Sequence, residues 1–408
     1  MFTSTNTALI KLYALVGPSV FRIGGNTVDQ TVWAPNGKGG VSGQVAPADI
    51  ARLAGFIKAT GWKVIYGINM ASSTPATVGA EALSASTALG SSLYGFEIGN
   101  EPDLYYENGI RPTTYTYSQF LSQWNALASG LRASVPNAVL TGPASSWNLA
   151  KYTLPFAKDT SATIRLLTQH YYRGNGQSST STMAMLLSYP DTALASQLAQ
   201  LNSASVTNKI PDGFRLGEAN SFYNSGRSGV SDGFGASLWV LDFLFQNAQY
   251  SQNKGVNFHT GGMNSPYSPL WDDGTSVKQI GGDFYGMAVF AKVANGTILN
   301  LSVSNTKNRA ITAYAVAGGG ANRIIVNNKD SVSSVVAVHL GSVQSVSHAW
   351  RLACAGGVSA TSGFLLGGSA IGIDGSFTPS NNVDIGNGPA TQFSFTLPAY
   401  SAVMIEFV

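Results

Sequence analysis

Two glutamates stand out. The 408-residue chain holds only six Glu, so the type is not surface filler here. Glu101 follows the strand-like run of Tyr94-Gly95-Phe96-Glu97-Ile98-Gly99-Asn100-Glu101-Pro102, and Glu218 closes another in Phe214-Arg215-Leu216-Gly217-Glu218-Ala219-Asn220. One Glu at a strand end is more often a solvated or capping group. Two of them, after buried strands in so Glu-poor a chain, suggest a paired-carboxylate site for cleaving glycosidic bonds. Retaining cleavage needs the two carboxyls about 5–5.5 Å apart, one attacking and one shuttling the proton. The shuttling acid must stay protonated, and the nearby second carboxylate favours that. The nucleophile must be ionised and held by neutral donors, which tyrosines around Glu218 could supply. Asn100 can donate to a sugar 2-hydroxyl. Glu97, four residues before Glu101, reads as a buried ion-paired group.

Further candidates lie near strand ends. Tyr105, Tyr106, Trp147, Tyr171, Tyr172, Phe222, Tyr223 and Tyr267 are aromatics of the kind that line sugar pockets, although any single one is more often a packing residue, Tyr171, Tyr223 and Tyr267 less so than the rest. Asp29 falls in a loop after the run Arg22 to Val28 and is either a ligand contact or a turn residue. The four His (His170, His259, His339, His348) show no metal-ligand spacing, so neither metal nor cofactor is expected. A lone Cys354 allows no intrachain disulfide. Net charge is +3 with no basic cluster, which argues against nucleic acid or a polyanion as partner. No apolar run approaches the ~18 residues of a membrane span, and no signal peptide is visible. The sequons at Asn295 and Asn300 point weakly to secretion.

These side chains need a frame. Up to about residue 298 helical and strand patterns alternate. Strands are expected at 19–23, 63–68, 93–98, 138–142, 164–170, 213–217 and 255–259, and helices at 8–15, 47–60, 81–89, 117–133, 147–157, 193–201, 233–248 and 283–293. Repeated βα units with buried strands imply a parallel sheet. The fold class is therefore α/β, a (β/α)8 TIM-type barrel over residues 1–297. The chain opens on a helix and offers seven strands rather than eight, so either the first strand lies upstream of it or the barrel closes in another way. Catalytic side chains in such barrels sit at the carboxyl ends of strands. From 298 to 408 the texture changes to short β segments separated by Gly, Asn and Ser, and an antiparallel β-sandwich is expected. The Gly-rich stretch 363–375 reads as loop.

The paired glutamates resemble those of the clan of retaining glycosidases with acid/base on strand four and nucleophile on strand seven. Phe21-Arg22-Ile23-Gly24-Gly25-Asn26-Thr27-Val28-Asp29 and Gly217-Glu218-Ala219-Asn220-Ser221-Phe222-Tyr223-Asn224-Ser225-Gly226 are similar to glycoside hydrolase family 79, which includes exo-β-glucuronidases and heparanases. The resemblance implies Glu101 as acid/base and Glu218 as nucleophile, with Asp29 on a sugar hydroxyl and Asn100 on the 2-hydroxyl. It implies Tyr171, Tyr223 and Tyr267 around the sugar, and the backbone amides of Asn224 and Ser225 on the glucuronate carboxylate, where the family often has glycines. The expected protein is a monomeric, extracellular, retaining exo-β-glucuronidase acting on glycans or glucuronides. An endo-acting, heparanase-like cleaver and an inactive carbohydrate-binding homologue are the alternatives.

Overall fold

The computed structural model describes residues 1–386 and 388–408. Seven parallel strands form one sheet in chain order: β1 (Val20–Ile23), β2 (Lys63–Ile68), β3 (Leu93–Ile98), β4 (Leu140–Ser145), β5 (Leu166–Asn175), β6 (Phe214–Tyr223) and β7 (Asn253–Phe258). Helices α1 (Thr7–Leu15), α2 (Pro47–Thr60), α3 (Pro75–Leu89), α4 (Tyr117–Ser134), α5 (Leu154–Asp159), α6 (Met183–Leu187), α7 (Thr192–Thr207), α8 (Phe234–Ala248) and α9 (Gly282–Ala291) accompany them. Inner strands are buried on both faces, as parallel sheets require.

The sheet curls into a nearly closed barrel. β1 and β7 are only half-buried. Among the described residues no ladder joins them. Side chains span the seam instead: Asn257 Nδ2 donates to the Val20 carbonyl at 2.8 Å, and the buried Arg215 donates through Nε to Asn257 Oδ1 at 2.6 Å.

Local chemistry explains most boundaries. α2 opens on Pro47 with the Asp49 carboxylate accepting from the Ala46 amide, and stops at Gly61 in the left-handed region. α3 begins at Pro75 rather than at the expected residue 81, because Thr74 caps it and Pro75 supplies the fixed φ of a first turn. β5 and β6 outrun their expected ends, staying paired out to Asn175 and Tyr223.

Beyond the barrel, β8 (Thr297–Leu299), β9 (Ile311–Gly318), β10 (Ala321–Asn328), β12 (Val346–Cys354), β13 (Phe364–Leu366) and β15 (Ser401–Phe407) form an antiparallel sheet. It packs against the pair β11 (Ser334–Gln344) and β14 (Ala390–Leu397) around Val338, Phe393, Phe395, Leu397, Val403 and Phe407. The short β13 lies where loop alone was expected; Phe364 and Leu366 are buried and anchor it.

This layer is tied to the barrel. The buried Asp242 of α8 accepts from Thr312 Oγ1 (2.5 Å), the Tyr314 hydroxyl (2.8 Å), Asn327 Nδ2 (3.1 Å) and the ammonium of Lys329. The first amides of α8 are satisfied by loop carbonyls, Phe234 to Ala360 and Gly235 to Val358, each at 2.8 Å. Among the described residues, no helix is long and apolar enough to cross a membrane.

Candidate active site

The side chains that could do chemistry converge at the carboxyl ends of the strands. Glu101 lies three residues past β3 with φ +50°, a left-handed conformation uncommon outside glycine. Its amide donates to the carbonyl of Ala144, itself at φ +56°, so the ends of β3 and β4 hold one another. Strain of this kind concentrates at functional sites. Glu218 comes from inside β6. Both glutamates are buried, at 7% exposure.

Glu101, His170 and Glu218 each place an oxygen or nitrogen within 4.8 Å of the others. His170 Nδ1 stands 2.9 Å from Glu101 Oε1, so imidazole and carboxyl share one hydrogen bond. Spacing alone would let these three hold a metal ion. The second Glu218 oxygen, however, faces the Arg22 guanidinium at 3.2 Å, which already supplies the positive charge.

Arg22, from β1, joins two layers of the site. It pairs with the fully buried Glu97, reaches Glu218, and donates through Nη2 to Asn100 Oδ1 at 2.9 Å. Glu97 also accepts from Thr168 Oγ1 at 2.7 Å, and is the buried ion-paired group its sequence position suggested. The expectation of purely neutral donors around Glu218 is corrected here: a guanidinium is among them. Burial would raise the Glu218 carboxyl, but the charges of His170, His259 and Arg22, with the Tyr172 hydroxyl, overcome it and hold Glu218 down to about 2. For His170, burial opposes the charged ring, yet Glu218 and the Glu101 hydrogen bond prevail and lift it above its usual range.

The tyrosines need a correction. Side chains alternate along a strand. His170 and Tyr172 share the inner face of β5, and Tyr172 donates to Glu218 Oε1 at 2.7 Å. Tyr171 points outward, donating to Asp191 at 2.5 Å and stacking on Phe243. It is not brought to the pocket. Tyr267 is: its hydroxyl lies 2.8 Å from His259 Nδ1, and Tyr172 lies 2.9 Å from the same atom. His259 follows β7 and stands 3.5 Å from Glu218. Asn220 fixes this corner by donating to the carbonyls of His259 (3.0 Å) and Tyr267 (2.8 Å). The sequence carries no spacing signal for Arg22, His259 or Asn220, whose partners come from other elements of the fold.

Asp29 also differs from expectation. One carboxylate oxygen accepts from the amides of Met70 (2.7 Å) and Ala71 (3.1 Å), the other from the Asn100 amide (3.1 Å) and the Tyr105 hydroxyl (2.8 Å). A carboxylate offers about four acceptor positions. All are occupied by the chain, so in this arrangement Asp29 positions Asn100 rather than meeting a sugar hydroxyl. Asn100 keeps a free donor: Nδ2 spends one hydrogen on Asn26 Oδ1 at 2.9 Å and has a second.

At the rim, Tyr223 is half-buried, and Asn224 and Ser225 are exposed with φ of +59° and +66°, followed by Gly226 at +82°. The left-handed turn explains why glycine would suit these positions. Among the described residues, the amides of Asn224 and Ser225 have no protein acceptor.

A seven-stranded parallel barrel with two glutamates at its mouth defines a barrel glycosidase architecture. The N-terminal domain of glycosyl hydrolase family 79 matches residues 39–245, half of the chain, and the chain belongs to that family. It is 28% identical over 356 residues to a β-glucuronidase of Aspergillus niger (76% of this chain, 64% of the relative). Over 252 residues it is 25% identical to a β-glucuronidase of Neurospora crassa (55% and 45%). The chain thus spans under two thirds of the length of either relative. Among solved structures, a 4-O-α-L-rhamnosyl-β-D-glucuronidase from Fusarium oxysporum shares the fold with TM-score 0.75 at 20% identity, over 99% of this chain and 92% of that one. A family 51 arabinofuranosidase from Xanthomonas axonopodis does so with TM-score 0.65 at 15% identity (98% and 88%).

Proposed function

We propose that the chain is a retaining exo-β-glucuronidase, releasing terminal β-linked glucuronic acid from glycans or glucuronides. The reading rests on one observation: two carboxylates within 4.8 Å of each other in unlike surroundings, Glu218 held ionised and Glu101 hydrogen-bonded to an imidazole. That spacing suits direct attack and leaves too little room for the intervening water of an inverting enzyme. The names of the Aspergillus and Neurospora relatives support the sugar.

Glu218 attacks C1 while Glu101 gives its proton to the glycosidic oxygen, so the C1–O bond breaks and a glycosyl ester forms. Water then yields a proton to Glu101 and its oxygen to C1, and Glu218 leaves as carboxylate. The Tyr172 hydroxyl and Arg22 keep Glu218 ionised before attack. Asn100 has the spare hydrogen for the sugar 2-hydroxyl. The amides of Asn224 and Ser225, with the hydroxyls of Tyr223 and Tyr267, are suited to a glucuronate carboxylate, since consecutive free amides make an anion-binding concavity. Both sequon asparagines, Asn295 and Asn300, are exposed, which supports an extracellular protein.

The test is hydrolysis of an aryl β-glucuronide and the matching glucoside. The glucuronide should be cleaved preferentially with retention at C1, and Glu218→Gln should abolish turnover. Undiminished turnover in that variant would remove the nucleophile, and sugar binding without cleavage would favour a binding protein.

A further inference from the structure

An exposed indole stands at the rim of this pocket, and the mechanism above does not use it. Trp147, just after β4, keeps 46% of its surface in solvent. Exposed tryptophans are uncommon, because a large apolar surface is better buried. This one is nevertheless held firmly. Asp103, two residues beyond Glu101, accepts the amides of Ser146, Trp147 and Asn148 at 2.9, 2.9 and 3.0 Å. The ring meets Tyr223 edge-on with centroids 4.8 Å apart, and Tyr223 in turn packs against Tyr172, which hydrogen-bonds Glu218. Trp147 is therefore fastened both to the turn that carries Glu101 and to the aromatic row that leads to Glu218.

We infer that Trp147 is the platform of a leaving-group subsite and that the group seated on it is a sugar ring. The inference rests on the reading of Glu101 as the proton donor. Glu101 must face the glycosidic oxygen, so the departing group lies on the side of the Glu101 turn, where Trp147 is pinned. A flat, half-exposed indole on an anchored backbone, braced on one edge by Tyr223, suits the apolar C–H face of a sugar. Because it is already held in place, binding costs little ordering. A simple alkyl aglycone is too small to cover it.

Two substrates separate the roles: methyl β-glucuronide, which ends short of the ring, and a disaccharide with glucuronic acid β-linked to a neutral hexose. Trp147→Ala should lower the ratio of disaccharide to methyl kcat/KM on the order of tenfold, mainly through KM, with Trp147→Phe retaining part of it. In a Glu218→Gln background, Trp147→Ala should weaken disaccharide binding by a similar factor in calorimetry while glucuronic acid affinity holds. An unchanged ratio, or an equal loss on both substrates, overturns the platform and leaves the catalytic reading standing. An unchanged ratio with an altered sedimentation coefficient assigns the ring to contact between copies, and also overturns it. Wild-type protein that cleaves neither substrate overturns both readings.

Discussion

As the proposed nucleophile, Glu218 has to stay ionised although it is only 7% exposed. Its charge is kept by His170, His259, Arg22 and the Tyr172 hydroxyl against the cost of burial. Removing the hydroxyl with Tyr172→Phe should let the carboxyl rise from about 2, so the acidic limb of kcat/KM moves to higher pH and kcat falls. A pH profile of the two proteins checks this, and an unmoved acidic limb would show that the hydroxyl does not tune Glu218. Glu101 and Glu218 are legible in the sequence because Glu is scarce and both follow apolar runs. The choice between Tyr171 and Tyr172 is not, since a one-residue change of phase exchanges the faces of a strand, and β5 and β6 carry an irregularity at Gln169/His170. Arg22 and His259 are equally hidden: their roles depend on Glu218, 196 residues from one and 41 from the other.

Helices and strands of the barrel are the most readable part of the chain. The bounds of α2, β2 and β3 match their sequence patterns, because Pro at the start, Gly at the end and unbroken apolar runs agree with one another. The outer ends of β5 and β6 are less readable, since pairing with each other, not local propensity, carries them past the rim. Gly61 gives a clean test of the stop signal. A Cβ there would meet nothing within 4 Å, yet φ is +71°. Gly61→Ala should therefore cost about 1 kcal/mol from backbone conformation alone, read by denaturant unfolding. No loss would mean that the chain ends α2 some other way.

At the scale of the whole molecule, pH should act through Glu81 of α3. It is buried at 4% exposure, takes a hydrogen bond from Tyr66 at 3.0 Å, and burial raises its carboxyl to about 7. The folded state then holds a proton that the unfolded chain, near 4.5, gives up. Stability from this group is present below pH 4.5 and declines as pH rises through about 7, a loss of about 3 kcal/mol at most. Glu81→Gln should flatten that slope and raise the melting temperature at pH 8 while leaving it nearly unchanged at pH 4. A slope that persists in the variant would place it elsewhere.

The seam between β1 and β7 has its own consequence. Six strand junctions in the barrel are zipped by main-chain ladders, while this one is closed by the side chains of Asn257 and Arg215. A circle with a single laced stitch gives way at the stitch. Deuterium should enter the amides bordering it well before those of β3 to β5, and β1, which carries Arg22, is the wall whose departure would strip Glu218 of one of its counter-charges.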